Sequence, residues 1–423
     1  MTTISYTTTS RLFYACLWFC ALPLYVLYFL YRSIRQAEYR KHLSERFAFY
    51  STPIDAPIWL HAASLGEVKA AAPLLTALRT SHPKRAILIS CQTPAGRAAA
   101  KTLKLENSTI VYLPFDLSFF TQRFIRHFQP CLALIFETEI WPNLFLSSKR
   151  SGVPLMIINA RITQRSVNRY AKIGTLVAQA LKLPEAIICQ SVDDARRYIE
   201  AGANADIVSV SGNIKWDIEL NHDQSITPLS PRNTVWFAAS THEQEEHVVL
   251  QIHREILKQW PDALLVWAPR HPERFEFVFR QALQANFNVQ RRSIELLPDA
   301  HCQLFLLDSL GELLKFLPGA NAVFVGGSIQ NIGGHNVLEP TSLGLPIIVG
   351  PHTQHFADII EKLIQVDGLI QVQDAIQLEE SLFSLLRNPD RANAMGNNAL
   401  NCVAQNRGAL QKTKALIEQR LCV

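Results

Sequence analysis

The chain has 423 residues, 48% of them hydrophobic and 18% charged, with a formal net charge of +5. That length exceeds one ordinary hydrophobic core and suits two domains plus an appendage, and the composition excludes a disordered chain. The mild positive charge makes no demand for nucleic acid and is compatible with an anionic substrate or an anionic membrane surface.

Residues 12–31, LFYACLWFCALPLYVLYFLY, are twenty positions without a charge. A hydrocarbon core of about 30 Å takes roughly 20 helical residues, and the Trp and Tyr content suits an interface, so the stretch reads as an uncleaved anchor. It is longer than the apolar region of a signal peptide, and no small-residue cleavage site follows it. Arg32, Arg35, Arg40, Lys41 and Arg46 follow the run against Glu38 and Glu45, whereas only Arg11 precedes it. The positive-inside tendency then places the main body in the cytoplasm. Pro23 leaves open a kinked helix, or one that lies in the membrane interface. Cys16, Cys20, Cys91, Cys131, Cys189, Cys302, Cys402 and Cys422 form no C-x-x-C pair. Neither a disulfide framework nor a zinc site is indicated, and reduced structural thiols are expected.

Residues 58–67, IWLHAASLGE, are an apolar run that stops at small residues and delivers Glu67 to the start of a helical pattern. Strand-to-helix turns at the carboxyl end of a parallel sheet are where open α/β proteins bind ligands. The same stretch has the S-x-x-E spacing of a capping box, in which Glu67 would only satisfy a backbone N–H. Spacing alone leaves both readings open. Further runs that read as buried strands lie at 86–90, 109–114, 131–137, 154–159, 186–190 and 207–211, with helical patterns between several of them. Residues 217–233, polar and proline-bearing, read as a linker. Alternation restarts with apolar runs at 234, 263, 302, 322 and 346, so two Rossmann-like halves follow. AASLGE at 62–67 and AASTHE at 238–243 add weak internal symmetry at the first strand-to-helix turn of each half. Two such halves facing across a cleft form the architecture of one large group of nucleotide-sugar glycosyltransferases, although fold alone does not fix activity.

Residues 326–340, GGSIQNIGGHNVLEP, hold four glycines, His335, Asn336 and Glu339 just after an apolar run. Glycines let backbone N–H groups approach a phosphate, a helix starting near Asn336 would aim its positive end at it, and a Glu there suits two ribose hydroxyls. The spacing is not G-x-G-x-x-G, which disfavours a dinucleotide site of the dehydrogenase kind. A plain turn, with a structural His335, is the other reading. The chain has no Asp-x-Asp and no His and carboxylate at ligand spacing, so no metal is indicated.

HAASLGE (61–67), FETEIWPN (136–143), NARIT (159–163), GNIKWD (212–217), STHEQEE (240–246), APRHPERF (268–275) and GGHNVLEP (333–340) stand in this order behind the anchor. Together they resemble the bacterial 3-deoxy-D-manno-octulosonic acid (Kdo) transferases of lipopolysaccharide biosynthesis, over nearly the whole chain. The resemblance implies a GT-B glycosyltransferase fold of two Rossmann-like domains facing across a cleft, plus the membrane-anchor helix. The parts are expected at 1–50 (anchor and basic flank), 51–216 (acceptor domain), 217–233 (linker), 234–403 (CMP-sugar domain) and 404–423 (a helix packing back on the first domain). It implies CMP-Kdo as donor, a lipid A precursor (lipid IVA) as acceptor, inversion at the anomeric carbon, and attachment to the bacterial inner membrane with the catalytic domains on the cytoplasmic side. No nucleic-acid partner is implied. Gln244 departs from the pattern, at a position where the family is expected to show Gly.

By the same resemblance Glu67 is the base, Glu137 is the second acidic position, and Lys215 and Arg270 are cations at the donor. Glu139 would share the face of Glu137 if that strand continued. Pro269, Arg270, Gly311, Glu312, Leu313, Asn336, Val337, Leu338 and Glu339 are the expected CMP contacts. No cofactor or metal is expected, because a CMP-sugar carries one phosphate that a Lys, an Arg and helix N-termini can offset. One difficulty is that a helix N-terminus lowers a carboxylate's pKa, so desolvation would have to restore Glu67 as a base. A GT-B-like sugar-nucleotide epimerase and a non-catalytic membrane scaffold are the competing classes.

Overall fold

Parallel strands covered on both faces must be apolar throughout, and the runs read from the sequence have that character. In the computed structural model, which describes residues 8–35, 37–51, 54–172, 175–217 and 234–421, every residue of Ile58–His61, Ile87–Cys91, Leu132–Phe136 and Leu155–Ala160 is buried. Residues 218–233 of the expected linker, and Cys422, lie outside the described residues. The chain divides into two compact units, Met1–Asp217 with Arg407–Val423, and Ile218–Asn406.

The first unit holds seven parallel strands: β1 Ile58–His61, β2 Ile87–Cys91, β3 Ser108–Tyr112, β4 Leu132–Phe136, β5 Leu155–Ala160, β6 Ala186–Cys189 and β7 Val208–Val210, in the order β3-β2-β1-β4-β5-β6-β7. Side chains alternate between the faces. Trp59, Ala133 and Ile157 pack on one, and Ile58, Leu60, Leu134 and Ile158 on the other. The chain winds outward through β2 and β3, then returns to place β4 on the opposite side of β1. The carboxyl ends of β1 and β4 therefore flank a topological switch point, the crevice position where open sheets bind ligands. The last helix, Ala409–Leu421, belongs to this unit: Asp217 accepts the N–H groups of Gly408 at 2.6 Å and Leu410 at 2.7 Å, and Leu410 and Ile417 join the core.

The N-terminal helix Thr8–Arg35 contains one segment, Tyr14–Ile34, long and apolar enough to cross a membrane. One side of it is engaged by the unit. Tyr14 donates to Asp116 at 2.8 Å, and the rings of Trp18, Tyr25 and Phe29 lie 5.9, 6.3 and 6.3 Å from that of Phe115. Phe19, Leu24, Leu27 and Ile34 remain exposed.

The second unit has β8 Val235–Thr241, β9 Leu264–Pro269, β10 Val289–Arg291, β11 Leu304–Leu306, β12 Ala322–Val325, β13 Ile347–Val349 and β14 Ile370–Gln371, all parallel in the order β10-β11-β9-β8-β12-β13-β14. Its switch point lies between β8 and β12. The short edge strands β10 and β14 were not expected: each is only partly buried and carries no apolar run.

Candidate active site

At the first switch point, β1 ends at His61 and the helix Leu65–Ser81 begins with Ser64 as its N-cap, the Ser64 hydroxyl accepting the Glu67 N–H at 3.3 Å. The Glu67 carboxylate reaches back over the turn, accepting from the Ala63 N–H at 2.9 Å and the Ser64 hydroxyl at 2.9 Å. The capping geometry is thus present, displaced by one residue from the usual box, in which the Glu would meet the N–H of the cap itself. Capping does not settle the carboxyl's proton affinity. Burial pushes the Glu67 pKa upward, and the charges of Glu137 and Glu139 add to this, outweighing the Ala63 and Ser64 hydrogen bonds. The expected lowering by the helix N-terminus is overridden.

Glu137 lies one residue beyond β4, in a left-handed conformation with φ 60°. A non-glycine residue there is strained by about 1–2 kcal/mol, and such strain gathers at functional sites. The turn also answers the expectation for Glu139. The strand does not continue, so Glu139 leaves the face of Glu137 and meets Trp141 Nε1 at 2.7 Å, with His61 Nε2 at 3.8 Å. Burial works to raise the Glu139 pKa, but the His61 imidazole and the Trp141 N–H hold it below its ordinary value. Lys215 Nζ lies 3.0 Å from Glu137 Oε1, an ion pair without hydrogen-bond alignment. Buried Asn159, at the end of β5, positions that lysine by accepting the Ile214 N–H at 3.0 Å, and Asn213 accepts the Lys215 N–H at 3.0 Å. Lys215 is therefore spent on a carboxylate of its own unit.

At the second switch point the glycine-rich loop differs from its sequence reading. The N–H groups of Gly327, Ser328 and Ile329, at 2.8, 3.0 and 3.0 Å, all point at the buried carboxylate of Glu245, which also accepts from the His242 N–H at 3.0 Å. Those amides are occupied by the protein's own anion. The helix expected near Asn336 starts at Leu338 with Val337 as its N-cap, and Asn336, just outside it, accepts the Leu338 N–H at 3.1 Å while donating to Glu339 at 3.0 Å. Val337 and Leu338 are buried, and Pro269 is the buried last residue of β9.

Arg270 follows directly. Its N–H bonds the Thr241 carbonyl at 3.0 Å, and its guanidinium has no hydrogen-bond or ion-pair partner among the described residues. Other arginines of this unit are paired: Arg274 with Glu243 and Glu246, Arg291 with Glu276 and Asp308, Arg292 with Glu312. Gly311, at φ 81°, turns the chain into the short helix Leu313–Phe316. The Glu312 side chain is held by Ser309 at 2.5 Å, Arg292 at 3.0 Å and Lys315 at 3.3 Å. Among the described residues no cluster of three or more His, Cys, Asp or Glu is placed to hold a metal.

Sequence reasoning passed over His61, His242 and Glu245. The internal symmetry held the signal for Glu245, offset by two residues: the helix begins after Ser64 in one half and after His242 in the other. The helical position of Glu67 is therefore matched by Glu245, and not by Glu243.

Two parallel seven-stranded sheets wound in this way define a GT-B-like architecture. The kitacinnamycin glycotransferase shares it at 12% identity and TM-score 0.53, covering 88% of this chain and 100% of that one. UDP-GlcNAc 2-epimerase from Neisseria meningitidis does so at 14% identity and TM-score 0.53, covering 86% and 99%. Likeness at that identity shows the fold alone. Residues 41–218 match the family 3-deoxy-D-manno-octulosonic-acid transferase (kdotransferase). The chain is 36% identical over 422 residues to the 3-deoxy-D-manno-octulosonic acid transferase of Haemophilus influenzae, spanning 97% of this chain and 99% of the relative. The protein belongs to the Kdo transferase family.

Proposed function

We propose that the protein transfers Kdo from CMP-Kdo to a lipid A precursor such as lipid IVA, with inversion at the anomeric carbon and Glu67 as general base. The observation that carries this reading is a carboxylate at the sheet's switch point whose proton affinity is raised by burial and by two neighbouring carboxylates. Such a group takes a proton from an acceptor hydroxyl more readily than an ordinary Glu. Glu137, held by Lys215, takes an acceptor hydroxyl or supports the Glu67 field. The donor's phosphate meets Arg270, whose guanidinium has no partner among the described residues. Pro269, Gly311, Leu313 and the backbone of Glu312, with Asn336, Val337, Leu338 and Glu339, line the nucleotide. One phosphate beside one free Arg needs no divalent ion, so the transfer runs without a metal.

The helix Thr8–Arg35 attaches the protein to the cytoplasmic face of the inner membrane. Its engagement by the first unit from Tyr14 to Phe29 favours a helix lying in the interface, with Phe19, Leu24, Leu27 and Ile34 toward lipid. Incubation of the purified protein with CMP-Kdo and a tetraacylated lipid A precursor, with the lipid weighed by mass spectrometry, should show a mass gain of one or more Kdo residues. No gain from an intact, lipid-supplied preparation would refute the reading and restore the scaffold alternative, whereas conversion of a uridine sugar nucleotide instead would restore the epimerase.

A further inference from the structure

The rings of His242 and His335 are parallel to within 4°, with their Nε2 atoms 2.8 Å apart. One ring must donate and the other accept, so the pair holds a single proton between those nitrogens and at most one charge while the bond lasts. Backbone fixes both partners. His242 is the N-cap of Glu243–Gln259, and His335 packs where a Cβ on Gly327, φ +65°, would lie 2.7 Å from its ring.

The elements packed around the pair present mostly positive or protonatable groups. Arg270 and His271 follow β9, the His271 ring being 5.0 Å from that of His242, and His355 comes from the turn Gln354–Phe356. The facing carboxylate, Glu245, is already bonded to four backbone N–H groups. Burial, followed by the Arg270, His242, His355 and His271 charges, pushes the His335 imidazole down to about 3. Burial also depresses His242, with Glu245 opposing and His271 and Arg270 adding to it. The pair is thus neutral near pH 7 and stands beside an unpaired guanidinium. An anion entering this site would reverse the sum of charges that repels a proton, so anion and proton would each favour the other's binding.

We propose that the His242–His335 pair is an acid, which takes up one proton when a phosphate anion binds at Arg270 and passes it to the phosphate oxygen freed when the donor's glycosidic C–O bond breaks. This rests on the donor reading given above. In that step the electron pair of the C–O bond stays on the phosphate oxygen, one ring Nε2–H bond breaks and an O–H bond forms. The pair returns to its neutral, proton-sharing state. The acceptor's proton goes separately to Glu67.

The test is calorimetric titration of CMP into the detergent-solubilised full chain, above neutral pH, in buffers of different ionisation enthalpy. A phosphate monoester has its second pKa near about 6, so CMP enters already doubly ionised. About one proton should be taken up per CMP bound, and affinity should rise about tenfold for each unit of falling pH. His335→Gln and His242→Gln should each bind CMP through Arg270 with the uptake lost. Binding by the unaltered protein without proton uptake would overturn this proposal and leave the donor reading intact, as would unchanged uptake in both variants. No binding of CMP at all would overturn both.

Discussion

Glu67→Gln separates a helix cap from a base, because the two contacts of the carboxylate can be kept while its charge is removed. The glutamine carbonyl can still accept the Ala63 N–H, and its NH2 can donate to the Ser64 hydroxyl, which accepts as readily as it donates. Each contact loses its charge-assisted part, a cost of about 1 kcal/mol or less, while the repulsion from Glu137 and Glu139 is relieved. The melting temperature should therefore stay close to that of the unaltered protein. Its pH dependence should change in a defined sense. Glu67 has a folded-state pKa above its unfolded value, so its contribution to stability is present at low pH and is lost as pH rises through the folded pKa. The variant should lack that loss. Turnover, followed as Kdo-bearing lipid by mass spectrometry, should fall by about 10² or more, equivalent to about 2.7 kcal/mol of transition-state stabilisation. The acid limb of kcat/KM, displaced upward in the unaltered protein by the burial of Glu67, should vanish. A Gln variant with comparable turnover and an unchanged acid limb would refute the base assignment, and Glu137 would become the candidate.

Lys215→Met strands Glu137 with no compensating charge and should lower stability by roughly 3 kcal/mol in chemical denaturation, a loss that adding Glu137→Gln largely restores; equal losses in the single and double variants would show the ion pair to be idle. Arg270→Ala removes a guanidinium with no partner among the described residues, so thermal stability should hold while CMP affinity drops ten- to a hundredfold, about 1.5–3 kcal/mol; an unchanged CMP dissociation constant would place the phosphate elsewhere. Removal of residues 1–31 should leave turnover on detergent-dispersed acceptor largely intact while lowering the melting temperature, because Phe115 and Asp116 lose Trp18, Tyr25, Phe29 and Tyr14; complete loss of activity in a truncated protein that still folds would contradict an attachment role.

The sheets were legible wherever strands are buried on both faces, since such strands admit almost nothing but apolar residues. β10 and β14 were not, because neither carries an apolar run, whereas the equally short edge strand β7 lies within one. The helix cap at Ser64 and Glu67 followed from spacing four residues wide. The proton affinity of Glu67 did not, since it depends on burial and on carboxylates some seventy residues further along the chain. The left-handed turn at Glu137 sends Glu139 to His61, and no side-chain pattern announces it. Which of the two readings holds at Gly327–Ile329 of the glycine-rich loop was hidden for a related reason. Glycines permit a nest of backbone N–H groups, but what fills the nest is decided by tertiary contacts, here Glu245 from the helix after β8.

Two sheets of like winding end in opposite electrostatic character. Beyond β1 and β4 stand Glu67, Glu137 and Glu139; beyond β8, β9 and β12 stand Arg270, His242, His271 and His335, with one buried carboxylate, Glu245, bonded to four backbone amides. A net charge of +5 for the whole chain conceals this division. Three ionised carboxylates left to repel one another would hold a proton at neutral pH, and a protonated carboxyl is no base. The distribution of partners in the first unit avoids that state selectively. Lys215 offsets Glu137 and the His61 imidazole offsets Glu139, whereas Glu67 has only dipolar donors. Burial raises the Glu67 pKa, while that of Glu139 is lowered. Glu67, which has no ion-pair partner among the described residues, is thus the carboxylate whose proton affinity is raised; the charges of Glu137 and Glu139 add to that rise, and the Lys215 ammonium beside Glu137 limits it.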